Sequence, residues 1–332
     1  MIKGKDKIKN KMNALAKEKK PFLFVIDFHG TNGFVETLDK CEEQEVLFHV
    51  KNLKNYSDID IQRPPFTFQK SPISFEKYKT GFDIVQKGIS DGNTYLINLT
   101  FPTPIETSLS LKEIFLRSDA KYKLYFKNKF VVFSPETFVS IHKQKIYSYP
   151  MKGTIDASLP DAYEKLKNSF KEIAEHHTIV DLIRNDLNRV SKKVGLEKFR
   201  MIERIVTHDA ELYTVSSRIA GALPMGYEER IGNLLYDMLP AGSVTGAPKK
   251  KTVEIIQEAE QYDRGFYTGV FGIFDGHHLQ SAVMIRFIEN QDGQLVFKSG
   301  GGITSFSDCQ AEYQELIDKV YLPISDIDHE AA

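Results

Sequence analysis

Two runs of β-forming residues flank a short polar tip near the middle of the chain, and this paired, period-two pattern restricts the fold more than any other feature. The runs are Thr137–His142 and 145–150, along which Phe138, Val139, Ile141, Ile146, Tyr147 and Tyr149 supply the strand formers. Lys143-Gln144-Lys145 between them is fit for a hairpin loop. If His142 faces Ile146, the ladder extends until Glu136 lies directly opposite Lys152, roughly 4.5–5.5 Å away at Cα and on the same face. A carboxylic acid beside an amine can serve as an acid and nucleophile couple. A cross-strand salt bridge of well under about 1 kcal/mol fits the same two residues.

Similar groups recur. The apolar run 22–28 reads as a buried strand with Gly30 and Gly33 marking the turn after it, and 95–101 and 122–133 are strand-like. So are 269–274, 279–287 and 294–298. Helical spacing covers 75–87, ending at Gly88, then 161–174, a segment after Pro248, and about 310–320. Strands grouped as hairpins, without regular strand–helix–strand alternation, predict an α+β fold: mostly antiparallel sheets flanked by helices. No linker, repeat or low-complexity stretch divides residues 1–332, so one large domain is expected, with 1–20 a basic, solvated leading helix.

The net charge of −1 leaves no electrostatic footprint for nucleic acid. No apolar run approaches the roughly 18–20 residues of a membrane span. The N-terminal lysines continue without the apolar segment of a signal peptide. A soluble, cytoplasmic protein without a membrane or nucleic-acid partner is therefore expected. Cys41 and Cys309 form no metal or redox spacing.

Two predicted helices carry Glu-x-x-Glu pairs, Glu172/Glu175 and Glu312/Glu315, and this spacing puts both carboxylates of a pair on one helix face. Two such faces together would suit Mg²⁺, although either alone also reads as a solvated surface. Lys319 continues the second stripe and could meet an anion. Ser299-Gly300-Gly301-Gly302-Ile303 lets backbone N–H groups approach a carboxylate, or is simply a flexible turn. The stretch from Ala241 to Lys249 leads into a helix N-terminus, another anion site, without the spacing of a phosphate-binding loop. Arg286 lies among apolar residues and needs an anionic partner if buried. Tyr267, before a glycine-containing strand, is ambiguous. His176, His177, His277 and His278 form no ligand set and read as surface or loop residues.

Together these segments resemble the chorismate-utilising enzymes, most closely component I of the aminodeoxychorismate synthases, from about Phe22 to Tyr321. The motifs that carry the resemblance are Ser134-Pro135-Glu136, Pro150-Met151-Lys152-Gly153-Thr154, Val180-Asp181-Leu182-Ile183-Arg184-Asn185-Asp186, residues 240–249, and 300–303 with 312–319. The resemblance implies a single chorismate-binding catalytic domain. It makes Glu175 and Glu315 direct Mg²⁺ ligands, with Glu172 and Glu312 reaching the metal through water. It makes Thr245, Tyr267, Arg286, Gly301, Gly302 and Lys319 substrate-binding, and Glu136 the general acid for the C4 hydroxyl. Lys152 becomes the nucleophile at C2; anthranilate and isochorismate synthases look similar here but carry Ala. Such a lysine must be neutral, so its pKa must fall from about 10.4. Leu96 and Thr214 depart from the family pattern, Leu96 where isochorismate synthases carry a water-activating Lys. Ammonia would come from solution or from a separate glutamine amidotransferase subunit. Two rivals remain open: an anthranilate synthase component, and a catalytically silent chorismate-binding relative.

Overall fold

The computed structural model of the protein describes residues 1–57, 64–206 and 211–324. Two large sheets lie face to face, with helices on their outer sides. The first sheet orders its strands as Ile2–Lys3, Asn32–Thr37, Phe22–Ile26, Val270–Phe274, Leu279–Val283, Thr137–His142, Lys145–Ser148, Glu211–Ala222 and Met151–Asp156. Lys192–Val206 pairs with Glu211–Ala222 as well. The second runs Gly246–Ala247, Leu96–Thr107, Gln294–Ile303, Phe287–Gln291, Phe130–Ser134, Tyr122–Phe126, Val46–Val50 and Leu53–Lys54. Phe68–Lys70 adds to Leu96–Thr107. The described ladders are antiparallel, as the hairpin grouping predicts.

Alternation along Phe22–Ile26 explains the layering. Phe22, Phe24 and Ile26 join a core with the helices Lys5–Lys17 and Ile231–Met238, while Leu23 and Val25 join Val132, Phe271 and Phe287 between the sheets. A strand covered on both faces must be apolar throughout, which is why 22–28 reads as one continuous run. The outer face of the second sheet is covered by Leu111–Arg117 and by Phe75–Ser90, Lys249–Glu260 and Cys309–Asp318.

Two neighbouring segments leave one sheet and join the other side by side. Phe130–Ser134 pairs with Phe287–Gln291 in the second sheet, and Thr137–His142 pairs with Leu279–Val283 in the first. The crossings are Pro135-Glu136 and Met284-Ile285-Arg286. Pro135 has no N–H for a ladder, and Arg286 adopts a left-handed backbone (φ 53°). Both crossings thereby place a charged side chain at the junction of the sheets.

Several expectations are corrected. The strand 279–287 is two strands in different sheets, and 122–133 is two strands joined through left-handed Lys127 and Asn128. The helix expected over 161–174 breaks at Ser169, whose hydroxyl accepts from Glu172 N and starts a new helix, Phe170–Asn188. Helix Phe75–Ser90 runs past Gly88. Gly33 and the glycines 300–302 lie inside strands, not turns. The leading helix is Lys5–Lys17 and is not a solvated appendage, since Ile8, Met12 and Ala16 are at most 1% exposed.

The hairpin register also differs by one residue. Lys143 and Gln144 are both left-handed (φ 50° and 60°) and form a two-residue connection that sets Ile141 opposite Ile146 and His142 opposite Lys145. The second strand ends at Ser148, and Met151–Asp156 pairs with Glu211–Ala222 instead. Glu136 and Lys152 are therefore not a cross-strand pair.

Candidate active site

Glu136 and Lys152 nevertheless open onto one cavity. Arg286 and Glu136 enter it from the crossings, and Lys152 from the start of Met151–Asp156. The strand Gln294–Ile303 supplies its glycine-lined floor, and the end of Cys309–Asp318 supplies Glu315 and Lys319. Strand pairing explains the glycines: a Cβ on Gly300 would collide with Leu99 O, and one on Gly301 would sit 3.1 Å from Glu312 and 3.8 Å from Glu315. The sequence therefore trades side chains for room beside the carboxylates.

Lys152 Nζ lies 2.9 Å from Glu175 Oε2, and so pairs with this residue rather than with Glu136. Burial pulls the Lys152 ammonium down, but Glu175, backed by Glu315 and Glu172, outweighs it and leaves the pKa above the ordinary lysine value. The lowering expected for a nucleophile is thus absent in this state. Lys319 pairs with Glu315 (2.5 Å) and donates to Gly300 O (2.9 Å), and its burial holds its pKa below the usual value. Glu136 has the opposite fate: burial raises its carboxyl, with only the Ser243 hydrogen bond pulling back. Ser134 fixes its backbone, accepting from Glu136 N at 3.1 Å.

Arg286 is partly buried, its guanidinium over the Tyr321 ring at 5.5 Å, and no ion pair to a carboxylate is found for it among the described residues. With Lys152, Lys298 and Lys319 it gives the cavity a cationic wall suited to a carboxylate-bearing ligand. Tyr267 is 3% exposed and lines the same wall.

The four glutamates of the helix pairs gather around Lys152 and Gly301. Glu172 Oε2 is buried without a hydrogen-bond partner, and left-handed Gly153 (φ 94°) leaves it room, since a Cβ there would lie 2.8 Å away. All-oxygen donors and an orphaned carboxylate oxygen fit a hard divalent cation. Among the described residues, however, no three acidic, His or Cys side chains converge on one point. Lys152 and Lys319 supply counter-charge to Glu175 and Glu315 instead.

Thr245 is fully buried, and its hydroxyl donates to Ala241 O at 2.7 Å, so it braces a turn and does not line the cavity. Ser243, two residues earlier, faces the cavity in its place. His176 is a correction of another kind. It is fully buried in Phe170–Asn188, shares a 2.6 Å hydrogen bond with Ser217 Oγ, and burial lowers it to about 4. Asn98 and Lys298 also line the cavity and were not singled out in the sequence. Lys298 could have been found as the lone charge in an apolar run, and it is 1% exposed against Glu289 at 2.8 Å. Asn98 and Ser243 carry no such signal.

A profile described as chorismate binding enzyme matches residues 24–325. The chain belongs to that family. An "uncharacterized PabA-like protein" of Pasteurella multocida is 50% identical over 313 residues, which cover 94% of this chain and 97% of that one. Aminodeoxychorismate synthase component 1 of Bacillus subtilis is 30% identical over 269 residues, 76% of this chain and 55% of that one. The solved structure of the menaquinone-specific isochorismate synthase of Escherichia coli superposes with a TM-score of 0.72 over 96% of this chain and 81% of that one. Its sequence identity is 15%, so the likeness is one of fold alone. No helix among the described residues is long and apolar enough to cross a membrane.

Proposed function

We propose that the protein is an aminodeoxychorismate synthase, component I, which converts chorismate and ammonia to 4-amino-4-deoxychorismate and water. The observation that carries this reading is a lysine amine and a carboxyl with raised pKa, Lys152 and Glu136, opening onto one cavity that Arg286, Lys298 and Lys319 also line. Glu136, still protonated, gives its proton to the departing C4 hydroxyl as Lys152 bonds to C2. Ammonia then bonds to C4 as the C2–Lys152 bond breaks, the new C4 ammonium returns a proton to Glu136, and Lys152 and Glu136 are both regenerated. The ammonia comes from solution or from a separate glutamine amidotransferase subunit.

Arg286, Tyr267, Lys319 and the amides of Gly301 and Gly302 hold the substrate's carboxylates. Glu172, Glu175, Glu312 and Glu315 would hold Mg²⁺, which when bound supplies positive charge for the ring carboxylate. The Lys152–Glu175 ion pair keeps the amine charged, so the reading requires that pair to part and the ammonium to lose its proton to solvent before Lys152 adds. Leu96 stands 3.3 Å from where a Gly302 Cβ would be, and Lys152 Nζ 4.0 Å. An apolar side chain there cannot deprotonate water, which supports amination over hydroxylation.

Purified protein incubated with chorismate, Mg²⁺ and ammonium at mildly alkaline pH should yield 4-amino-4-deoxychorismate by mass-resolved product analysis. The product should vanish on chelation and with Lys152→Ala. Anthranilate would transfer the chain to that branch of the family. Chorismate binding without turnover would identify a silent relative.

A further inference from the structure

Among the described residues, the two carboxyl oxygens of Glu136 have a single hydrogen-bond partner. The Ser243 hydroxyl donates to Oε1, and the short turn Gly242–Val244 presents it to the cavity beside Glu136. We infer that Ser243 is the positioning residue of the acid: it occupies Oε1, so that the transferable proton resides on Oε2 and faces the substrate. The inference rests on Glu136 acting as general acid in the reaction proposed above.

The surroundings are built to hold that hydroxyl in place. Thr245 donates to Ala241 O, Val244 N donates to Ala241 O at 3.3 Å, and Arg264 Nη1 donates to Val244 O at 2.8 Å. Arg264 is itself 2% exposed and paired with Glu260 at 2.5 Å, which makes the turn's anchor rigid. On the other side, the Glu136 backbone is held by Ser134 and by Val283 N, which donates to Glu136 O at 3.2 Å. Both ends of the Ser243–Glu136 contact are therefore clamped, and of the clamping side chains Thr245, Arg264 and Ser134 do not line the substrate cavity. Among the titratable groups on the same cavity are Lys152, Tyr267, Arg286, Lys298, Glu315 and Lys319, and Asp186 lies behind the turn at Gly242. Burial and the Ser243 hydroxyl dominate the acidity of Glu136, in opposite directions.

The hydrogen bond does more than orient. A hydroxyl donates more strongly to a carboxylate than to a neutral acid, so the contact tightens as the proton leaves Oε2. That gain exists only as transfer proceeds, the condition under which an interaction raises turnover rather than affinity. Without it Glu136 is a weaker acid.

Two readouts test this. In chorismate turnover, Ser243→Ala should lower kcat about ten- to hundredfold, the range of a hydrogen bond to a charged group. KM should stay nearly unchanged, the alkaline limb of the pH profile should move upward, and Ser243→Thr, which keeps the hydroxyl, should restore most of both. The second readout needs no activity. Isotope-edited infrared spectroscopy should show a protonated-carboxyl band that Glu136→Gln removes, and Ser243→Ala should shift it to higher frequency and raise its titration. An unmoved band and pH profile would overturn the inference, as would a rise in KM with kcat intact, which would make Ser243 a substrate contact. If the wild-type protein turned over no chorismate, the catalytic reading would fail while the infrared arm still decided whether Ser243 sets the state of Glu136.

Discussion

At the scale of the residue, the environments of Glu136 and Lys152 raise both groups, each for a different reason. Burial raises the Glu136 carboxyl by disfavouring its anion, whereas the carboxylates around Lys152 raise its ammonium against the pull of burial. Glu136→Gln should lower kcat by about 10²- to 10⁴-fold with little change in KM, as measured by chorismate consumption. The same substitution has a stability signature. A carboxyl whose folded pKa lies above its unfolded value stabilises the fold fully below about pH 4.5, and that contribution is lost as pH rises through the folded value. Urea titrations across pH should therefore show wild type losing stability relative to Glu136→Gln on going from acid to neutral pH. Parallel curves would contradict the burial of an acid there.

At the scale of the element, position matters more than local preference. The leading helix carries eight lysines' worth of polarity nearby in the chain, yet it buries Ile8 and Met12 against Ile231–Met238 and the first sheet. Ile8→Ala should cost about 2–5 kcal/mol in urea unfolding, the range for emptying a packed core site. Leu15→Ala, on the partly buried edge of the same helix, should cost clearly less. Equal small losses would mean that the helix is docked only loosely. The two strand crossings follow the same logic, since Pro135 and left-handed Arg286 end one ladder and begin another at one level of the fold.

At the scale of the whole molecule, the cavity draws on both sheets, on helix Cys309–Asp318 and on the turn Gly242–Val244, so its ligands should stabilise the entire chain. A ligand that binds only the folded state adds about 2.7 kcal/mol at a hundred times its Kd. Mg²⁺ and chorismate together should raise Tm more than the sum of each alone, because the metal's charge and the ring carboxylate complete one another. A chelator should abolish the excess. Purely additive shifts in differential scanning fluorimetry would place the two ligands at independent sites and remove the carboxylate cluster from the proposed function.

What the sequence determined by itself was whatever depends on periodicity and motif. Paired strands with polar tips led to antiparallel α+β architecture, and the spacing of Glu172/Glu175 and Glu312/Glu315 put each pair on one helix face. Motif order led to the family, since Ser134-Pro135-Glu136 and Pro150-Met151-Lys152 are local strings that need no partner to be recognised. Tertiary structure decided which residues meet. A two-residue turn in place of a longer one shifted the ladder by one position and separated Glu136 from Lys152, and pairing with Glu211–Ala222 gave Lys152 to Glu175. Ser243, Asn98 and the buried His176 were invisible for the same reason: a short polar side chain acquires its role from what lies across the cavity or the helix interface. Distance along the chain carries no information about that, because the contact from Glu136 to Ser243 closes only in the folded cavity and that from His176 to Ser217 only when helix Phe170–Asn188 packs on strand Glu211–Ala222.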